Sequence, residues 1–138
     1  MSRAAIVCAL IAAIALPSAL RGSASTTSVT FTAAQVSAGS SLFQSKCSAC
    51  HGTQLEGGAG PALSGPNFKT LSSKVHANVG DVFTYATTNM PMNAPASLTH
   101  DQYVSIMAFI LSKNGYRPGG APLTFSGATN STAPVVRQ

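Results

Sequence analysis

The sequence is poor in charge and in aromatic side chains. Of its 138 residues, 8% are charged and 7% aromatic, and none is tryptophan. The basic residues stand singly, without the basic runs and interleaved aromatics that follow a phosphate backbone, which disfavours nucleic-acid binding. Three cysteines exclude a fully paired disulfide framework. No apolar run reaches the roughly 18 to 20 residues that span a bilayer, and the length suits one small domain.

Residues 1–24 have the pattern of a secretory signal peptide. Arg3 supplies a short positive start, and an unbroken apolar stretch follows over residues 4–16. Gly22 and Ala24 are small, as a signal peptidase requires three and one positions before its cut. We expect cleavage after Ala24, and an uncleaved membrane anchor is the alternative.

Cleavage at that position changes the composition of the chain. It removes Arg3 and Arg21, which lowers the net charge from +5 to +3. It also removes Cys8 and leaves Cys47 and Cys50 as the two cysteines of an exported protein in an oxidising compartment. The expected localisation is therefore periplasmic or secreted.

A capped helix is predicted from residue 33 to about Cys47. Thr32 can accept a hydrogen bond from the first turn, and Gln35 can reach back to the cap, which together form a capping box. Gly39 on this helix would allow another backbone to approach closely.

The same capping pattern recurs near the other end of the chain. Thr99 and Gln102 form the second box, and an apolar face follows until Gly115, where a glycine favours the end of a helix. The residues of that face recur at helical spacing and are Tyr103, Ile106, Met107, Ile110 and Leu111.

The remaining segments have weaker patterns. Residues 52–79 are rich in Gly, Pro, Ser and Asn and are predicted as loop, and a short helix is expected to start near Asp81. Residues 117–138 are predicted as an extended tail over the surface. The expected organisation is a signal peptide, a domain over residues 25–116 and this tail.

The motif Cys-x-x-Cys-His at Cys47, Cys50 and His51 is the attachment pattern of a c-type haem. Two thiols on one helical turn can bond to two vinyl groups on one edge of the porphyrin, and the next residue can place its imidazole on the iron. A disulfide, a redox dithiol and half of a zinc site are the alternatives. The dithiol lacks its strand-helix context, and zinc would need His76 and His100 as further ligands.

The second axial ligand decides between electron transfer and chemistry on a bound small molecule. Met90 and Met92 flank Pro91 in a stiff segment that can present a thioether rigidly. The chemistry of these residues does not separate the two methionines. The other candidates are Met107, which fits the core, His100, which falls in the first turn of a helix, and His76, which would give a bis-histidine site.

Over roughly residues 32–115 the chain resembles the bacterial class I cytochromes c, which are small all-helical proteins with a single haem. Gly39, Phe43 and Cys47 follow one another at intervals of four residues, as in the first helix of that family. The family's glycine and aromatic pack against the last helix, where the corresponding residues here are Ile106 and Phe109.

The resemblance also implies roles for residues outside the haem motif. The segment from Gly60 to Leu63 resembles the family's proline loop, in which the proline carbonyl accepts the proton of the axial histidine. Pro61 would then fix the imidazole of His51, and Leu63 would contact the haem. Met90-Pro91, followed by the helix cap, resembles the family's ligand segment and implies Met90 rather than Met92 as the sixth ligand.

The fold implied by the resemblance is all-α, with three to four helices and loops around one covalently bound haem c. The implied function is that of an exported one-electron carrier between periplasmic or membrane redox partners, with a dehydrogenase as donor and an oxidase or another cytochrome as acceptor. Residues 85–115 are also similar to haem-c subunits of quinoprotein alcohol dehydrogenases, so a subunit of a dehydrogenase complex is the alternative. A ligand-binding or peroxidase-type haem protein is a further one.

Overall fold

The structure, a computed structural model, describes residues 28–137. The predicted signal peptide and its cleavage site therefore lie outside the described residues. Within residues 28–137 the chain forms no β-strand, only an isolated bridge between Asn78 and Pro134, and the all-α prediction is confirmed. The six helices of this range are α1 (Ala33–Lys46), α2 (Ser48–His51), α3 (Gly65–Lys74), α4 (Val79–Asn89), α5 (His100–Lys113) and α6 (Phe125–Thr129).

Both predicted capping boxes are present. In α1, the Thr32 side chain accepts from the backbone of Gln35 at 3.2 Å, and the Gln35 side chain accepts from the backbone of Thr32 at 3.1 Å. In α5, Thr99 and Gln102 make the same pair of bonds at 3.3 and 2.9 Å. These boxes satisfy backbone donors that the first helical turn cannot pair, which is why they fix where the helices begin.

Helices α1 and α5 cross at Gly39. A Cβ atom at this position would lie 1.8 Å from the Ser105 carbonyl oxygen, so only glycine allows the two backbones to approach this closely. One turn further along, the rings of Phe43 and Phe109 pack with their centroids 5.5 Å apart. The predicted close approach at Gly39 is confirmed, and it forms the frame from which the site is built.

The structure contains one helix, α3, where the sequence predicts loop. Its Pro66 lies in the first turn, where a missing N–H costs nothing, and Phe68 is buried against the core. Leu71 and Val75, near its C-terminal end, are 53% and 62% exposed. The prediction was wrong because α3 buries one large side chain and so has little apolar periodicity to read.

The C-terminal segment differs from the predicted extended surface tail. It contains α6, and the side chains of Leu123, Ala128, Ser131 and Val135 are buried. Its ring of Phe125 packs against other elements of the domain. The segment is thus part of the folded unit.

Hydrogen bonds attach this segment to the N-terminus of α4. The N–H groups of Val79 and Gly80 donate to the carbonyl oxygens of Ala133 and Ser131, both at 2.9 Å. Both N–H groups belong to the first turn of α4 and therefore have no carbonyl partner within the helix. Helix α4 itself begins close to the predicted position, with Asn78 and Asp81 as its capping box.

None of the helices in the described range combines the length and the hydropathy of a membrane span.

Candidate cofactor site

A cleft of about 310 Å³ opens between α1, α2, α5 and two loops. The first loop contributes Ala59, Gly60, Pro61 and Leu63. The second, called here the methionine loop, comprises residues 90–98 between α4 and the cap of α5. Its lining is mostly apolar and includes Phe43, Leu63, Leu98, Ile106 and Ile110. All six residues predicted for the site line this cleft: Cys47, Cys50, His51, Pro61, Leu63 and Met90.

The two cysteines and His51 are placed by one turn of helix. The Cys47 N–H donates to the Phe43 carbonyl at 2.8 Å, which continues the hydrogen bonding of α1. The His51 N–H then donates to the Cys47 carbonyl at 3.0 Å within the short helix α2. Because residues three and four positions apart share a helix face, this turn brings both thiols and the imidazole to the same wall of the cleft.

The imidazole of His51 has a fixed orientation. Its side chain is 9% exposed, and its Nδ1 lies 2.7 Å from the Pro61 carbonyl oxygen. Since a carbonyl oxygen only accepts, Nδ1 carries the proton and donates it, which leaves the lone pair of the neutral ring on Nε2. A neutral imidazole held by its other ring nitrogen is the form in which histidine binds a metal.

Gly60 leaves the space that this orientation needs. A Cβ atom at Gly60 would lie 3.0 Å from Cε1 and 3.1 Å from Nδ1 of His51. The Gly60 N–H donates to the Cys50 carbonyl at 2.8 Å, so the loop runs directly over the haem motif. The sequence places Gly60 before Pro61, but it does not reveal that the glycine faces the ring.

The two candidate methionines, Met90 and Met92, differ in how far the structure buries their side chains. Met92 is 78% exposed, whereas Met90 is partly buried. The Met90 N–H donates to the Ala86 carbonyl at 3.0 Å, and its carbonyl accepts from the Tyr103 hydroxyl at 2.5 Å. Both side chains line the cleft, but Met90 has the fixed backbone and the more enclosed side chain.

The other ligand candidates lie elsewhere. Met107, on α5, is 1% exposed and lies in the hydrophobic core. The ring of His100 stacks on that of Phe125, with the ring centroids 3.7 Å apart. His76 lies at a separate polar surface pocket with Lys69. None of these three lines the cleft that the described residues form.

The thiol chemistry does not match that of a redox dithiol. Burial, with a smaller contribution from the neighbouring Cys50, raises the pKa of the Cys47 thiol to about 11. A dithiol that exchanges disulfides needs a lowered thiol pKa, because the thiolate is the nucleophile. Cys47 and Cys50 are not joined to each other in a disulfide, and within residues 28–137 no three His, Cys, Asp or Glu side chains converge to hold a metal ion.

These donors fit a covalently attached haem. Two free thiols and an oriented imidazole lie on one wall, and the apolar lining is suited to a flat macrocycle. Methionine thioethers in the same lining can supply the sixth iron ligand. The chain also contains few aromatic residues for a core of its own, so a buried macrocycle would add to its apolar interior.

Comparisons with known proteins agree with this interpretation. Residues 34–110 match the family model described as cytochrome c oxidase, cbb3-type, subunit III. The crystal structure of the sulfane dehydrogenase SoxCD from Paracoccus pantotrophus is similar, with 30% sequence identity and a TM-score of 0.58. The alignment covers 72% of this chain but 53% of that one, so this chain spans about half its length. No curated protein matches the sequence.

Proposed function

We propose that this chain, which belongs to the cytochrome c family, is an exported one-electron carrier with one haem c bound by Cys47, Cys50, His51 and Met90. Electron transfer through haem c follows from the family. The identity of the four residues that bind the haem, the count of one haem per chain and the export of the protein are what we propose for this chain. The observation that carries the proposal is the apolar cleft, whose lining includes the Cys-x-x-Cys-His turn and the enclosed Met90.

Each residue of the site has a distinct task in this proposal. Haem c, when bound, supplies the one-electron couple of its iron. Cys47 and Cys50 attach it covalently, so it cannot leave during turnover. His51 would supply a nitrogen ligand to the iron, and the Pro61 carbonyl, 2.7 Å from its Nδ1, holds that ring in a single tautomer.

Met90 and the apolar lining favour the reduced state. A thioether is a soft, neutral donor that stabilises ferrous iron, and His/Met ligation therefore gives a higher potential than two histidines. The lining disfavours the additional positive charge of the ferric form, which acts in the same direction. With His51 and Met90 both holding the iron, little of the protein would have to rearrange when an electron arrives or leaves.

Docking of redox partners would depend little on long-range electrostatics. Lys46 carries the one formal charge among the described residues that line the cleft. The small side chain of Ala49 is exposed at the rim. A net charge of +3 after signal cleavage gives weak steering, so we propose a small, transient interface with exported dehydrogenases as donors and oxidases or other cytochromes as acceptors.

A second candidate is a haem-c subunit of a dehydrogenase complex. It is favoured by the similarity to SoxCD, a sulfane dehydrogenase. Co-purification with a stable partner at high salt would support the subunit role. A monomer in gel filtration of material purified from the native source would support the free carrier.

Carbon monoxide tests whether the sixth position is closed. We expect the reduced protein at neutral pH to bind carbon monoxide slowly or incompletely, because Met90 occupies the position that the gas needs. The measurement is the absorbance change after mixing with the gas. Rapid, complete binding would instead indicate a ligand-binding or peroxidase-type haem protein.

Gly60→Ala tests how His51 is held. The added Cβ would lie about 3 Å from two atoms of the imidazole, so the ring or the loop has to shift. We expect haem to remain attached, the proton NMR signals of the His51 ring to move, and the free energy of unfolding to fall by about 1–2 kcal/mol. Gly119→Ala is the control, because its Cβ would have its nearest neighbour at 4.0 Å. Identical spectra for both variants would contradict the assigned role of Gly60.

A further inference from the structure

We infer that Tyr103 is a positioning residue for Met90, and this inference rests on the proposed function. Tyr103 lies in the first turn of α5 and is 6% exposed. Its hydroxyl donates to the Met90 carbonyl at 2.5 Å, across 13 residues of sequence. Its ring lines the same cleft as the Met90 side chain.

The bond joins the start of the methionine loop to α5, the helix that follows the loop. At its start, Met90 is tied to α4 through the bond from its N–H to the Ala86 carbonyl. At its end, the loop joins α5 at the Thr99 cap. Residues 92–97 between these points are exposed, and Tyr103 links Met90, at the ligand end of the loop, to α5.

Fixing both backbone groups of Met90 restricts where its side chain can go. The bonds to Ala86 and Tyr103 hold the N–H and the carbonyl of one residue, so the Cα position and the direction of the side chain are set before any ligand is bound. Such preorganisation lowers the entropy cost of forming the bond to iron. Without the Tyr103 hydroxyl, the carbonyl can turn to water and the thioether gains freedom to leave.

Tyr103 acts through Met90, to whose carbonyl its hydroxyl donates, and not as a ligand of the iron. Its removal should therefore change how often the thioether dissociates and leave attachment through the cysteines and His51 intact. Two different measurements distinguish this positioning role from a general role in packing. A packing defect lowers global stability, whereas a positioning defect accelerates exchange of the sixth ligand.

Tyr103→Phe removes one hydroxyl and keeps the ring. Tyr116→Phe is a matched control, because the Tyr116 hydroxyl also donates to a carbonyl, that of Pro134 at 2.6 Å, and Tyr116 does not line the cleft. Both holo-proteins would be mixed with imidazole in the oxidised state. The rate of imidazole binding at saturation, which is limited by loss of the methionine, is followed by the sulfur-to-iron charge-transfer band.

We expect Tyr103→Phe to bind imidazole about fivefold faster than the wild type, the factor that corresponds to one hydrogen bond of ordinary strength. Tyr116→Phe should bind at the wild-type rate. Equal rates for both variants and the wild type, with the charge-transfer band present in all three, would overturn the positioning role and leave His/Met ligation intact. Absence of the band from the wild-type protein would overturn both the ligation and this inference.

Discussion

Met90→Ala is expected to abolish the sulfur-to-iron charge-transfer band of the oxidised protein and to lower its reduction potential. The band requires a thioether on ferric iron, and Met90 is the more buried of the two methionines that line the cleft. Axial ligands shift haem potentials over a range of about 0.8 V, so we expect a decrease on the order of 0.1 V or more. Visible spectroscopy and a redox titration of the two holo-proteins measure both effects.

Met92→Ala is the control for this substitution. It removes the same side chain two residues away, from a position that is 78% exposed. We expect its band and its potential to match those of the wild type. If Met92→Ala lost the band and Met90→Ala kept it, the ligand assignment would be wrong although the cofactor assignment would stand.

Gly39→Ala destabilises the protein through the crossing of α1 and α5. The new Cβ would lie 1.8 Å from the Ser105 carbonyl oxygen and 2.5 Å from its carbon. These are backbone atoms that no rotamer change can move, so the helices have to separate. The higher helix propensity of alanine recovers about 1 kcal/mol, which is less than the cost of forcing the two backbones apart. We expect a net loss of about 3 kcal/mol.

Chemical denaturation of the holo-protein, followed by circular dichroism, measures this loss. Gly120→Ala is the control, because its Cβ would have no neighbour within 4 Å, and we expect its free energy of unfolding to change by less than about 0.5 kcal/mol. A Gly39→Ala protein that unfolds at the wild-type midpoint would show that the helices do not cross as closely as described.

The sequence predicts best what is determined locally. The capping boxes at Thr32 and Thr99 can be read from residues three positions apart, and they mark the starts of the two helices that form the frame. The Cys-x-x-Cys-His motif is equally local, because one helical turn places Cys47, Cys50 and His51 together. A periodic apolar face then indicates that α5 is central to the core.

Contacts between segments that are distant in the sequence cannot be predicted from such local patterns. The Gln35 side chain donates to the Leu123 carbonyl at 2.8 Å across 88 residues. No local sequence pattern predicts that the C-terminal segment packs against α1 in this way. The choice between Met90 and Met92 has the same origin. Their local chemistry is alike, and the difference lies in burial and in the bond from Tyr103.

Intact-mass spectrometry of the purified, denatured protein tests the central claim most directly. If Cys47 and Cys50 hold one haem c covalently, the mass of the unfolded polypeptide exceeds that of its own residues by one haem, whether or not the proposed cut after Ala24 has been made. A mass equal to the polypeptide alone, or lower by the two hydrogens lost in a Cys47–Cys50 disulfide, would contradict covalent haem attachment and with it the proposed electron carrier.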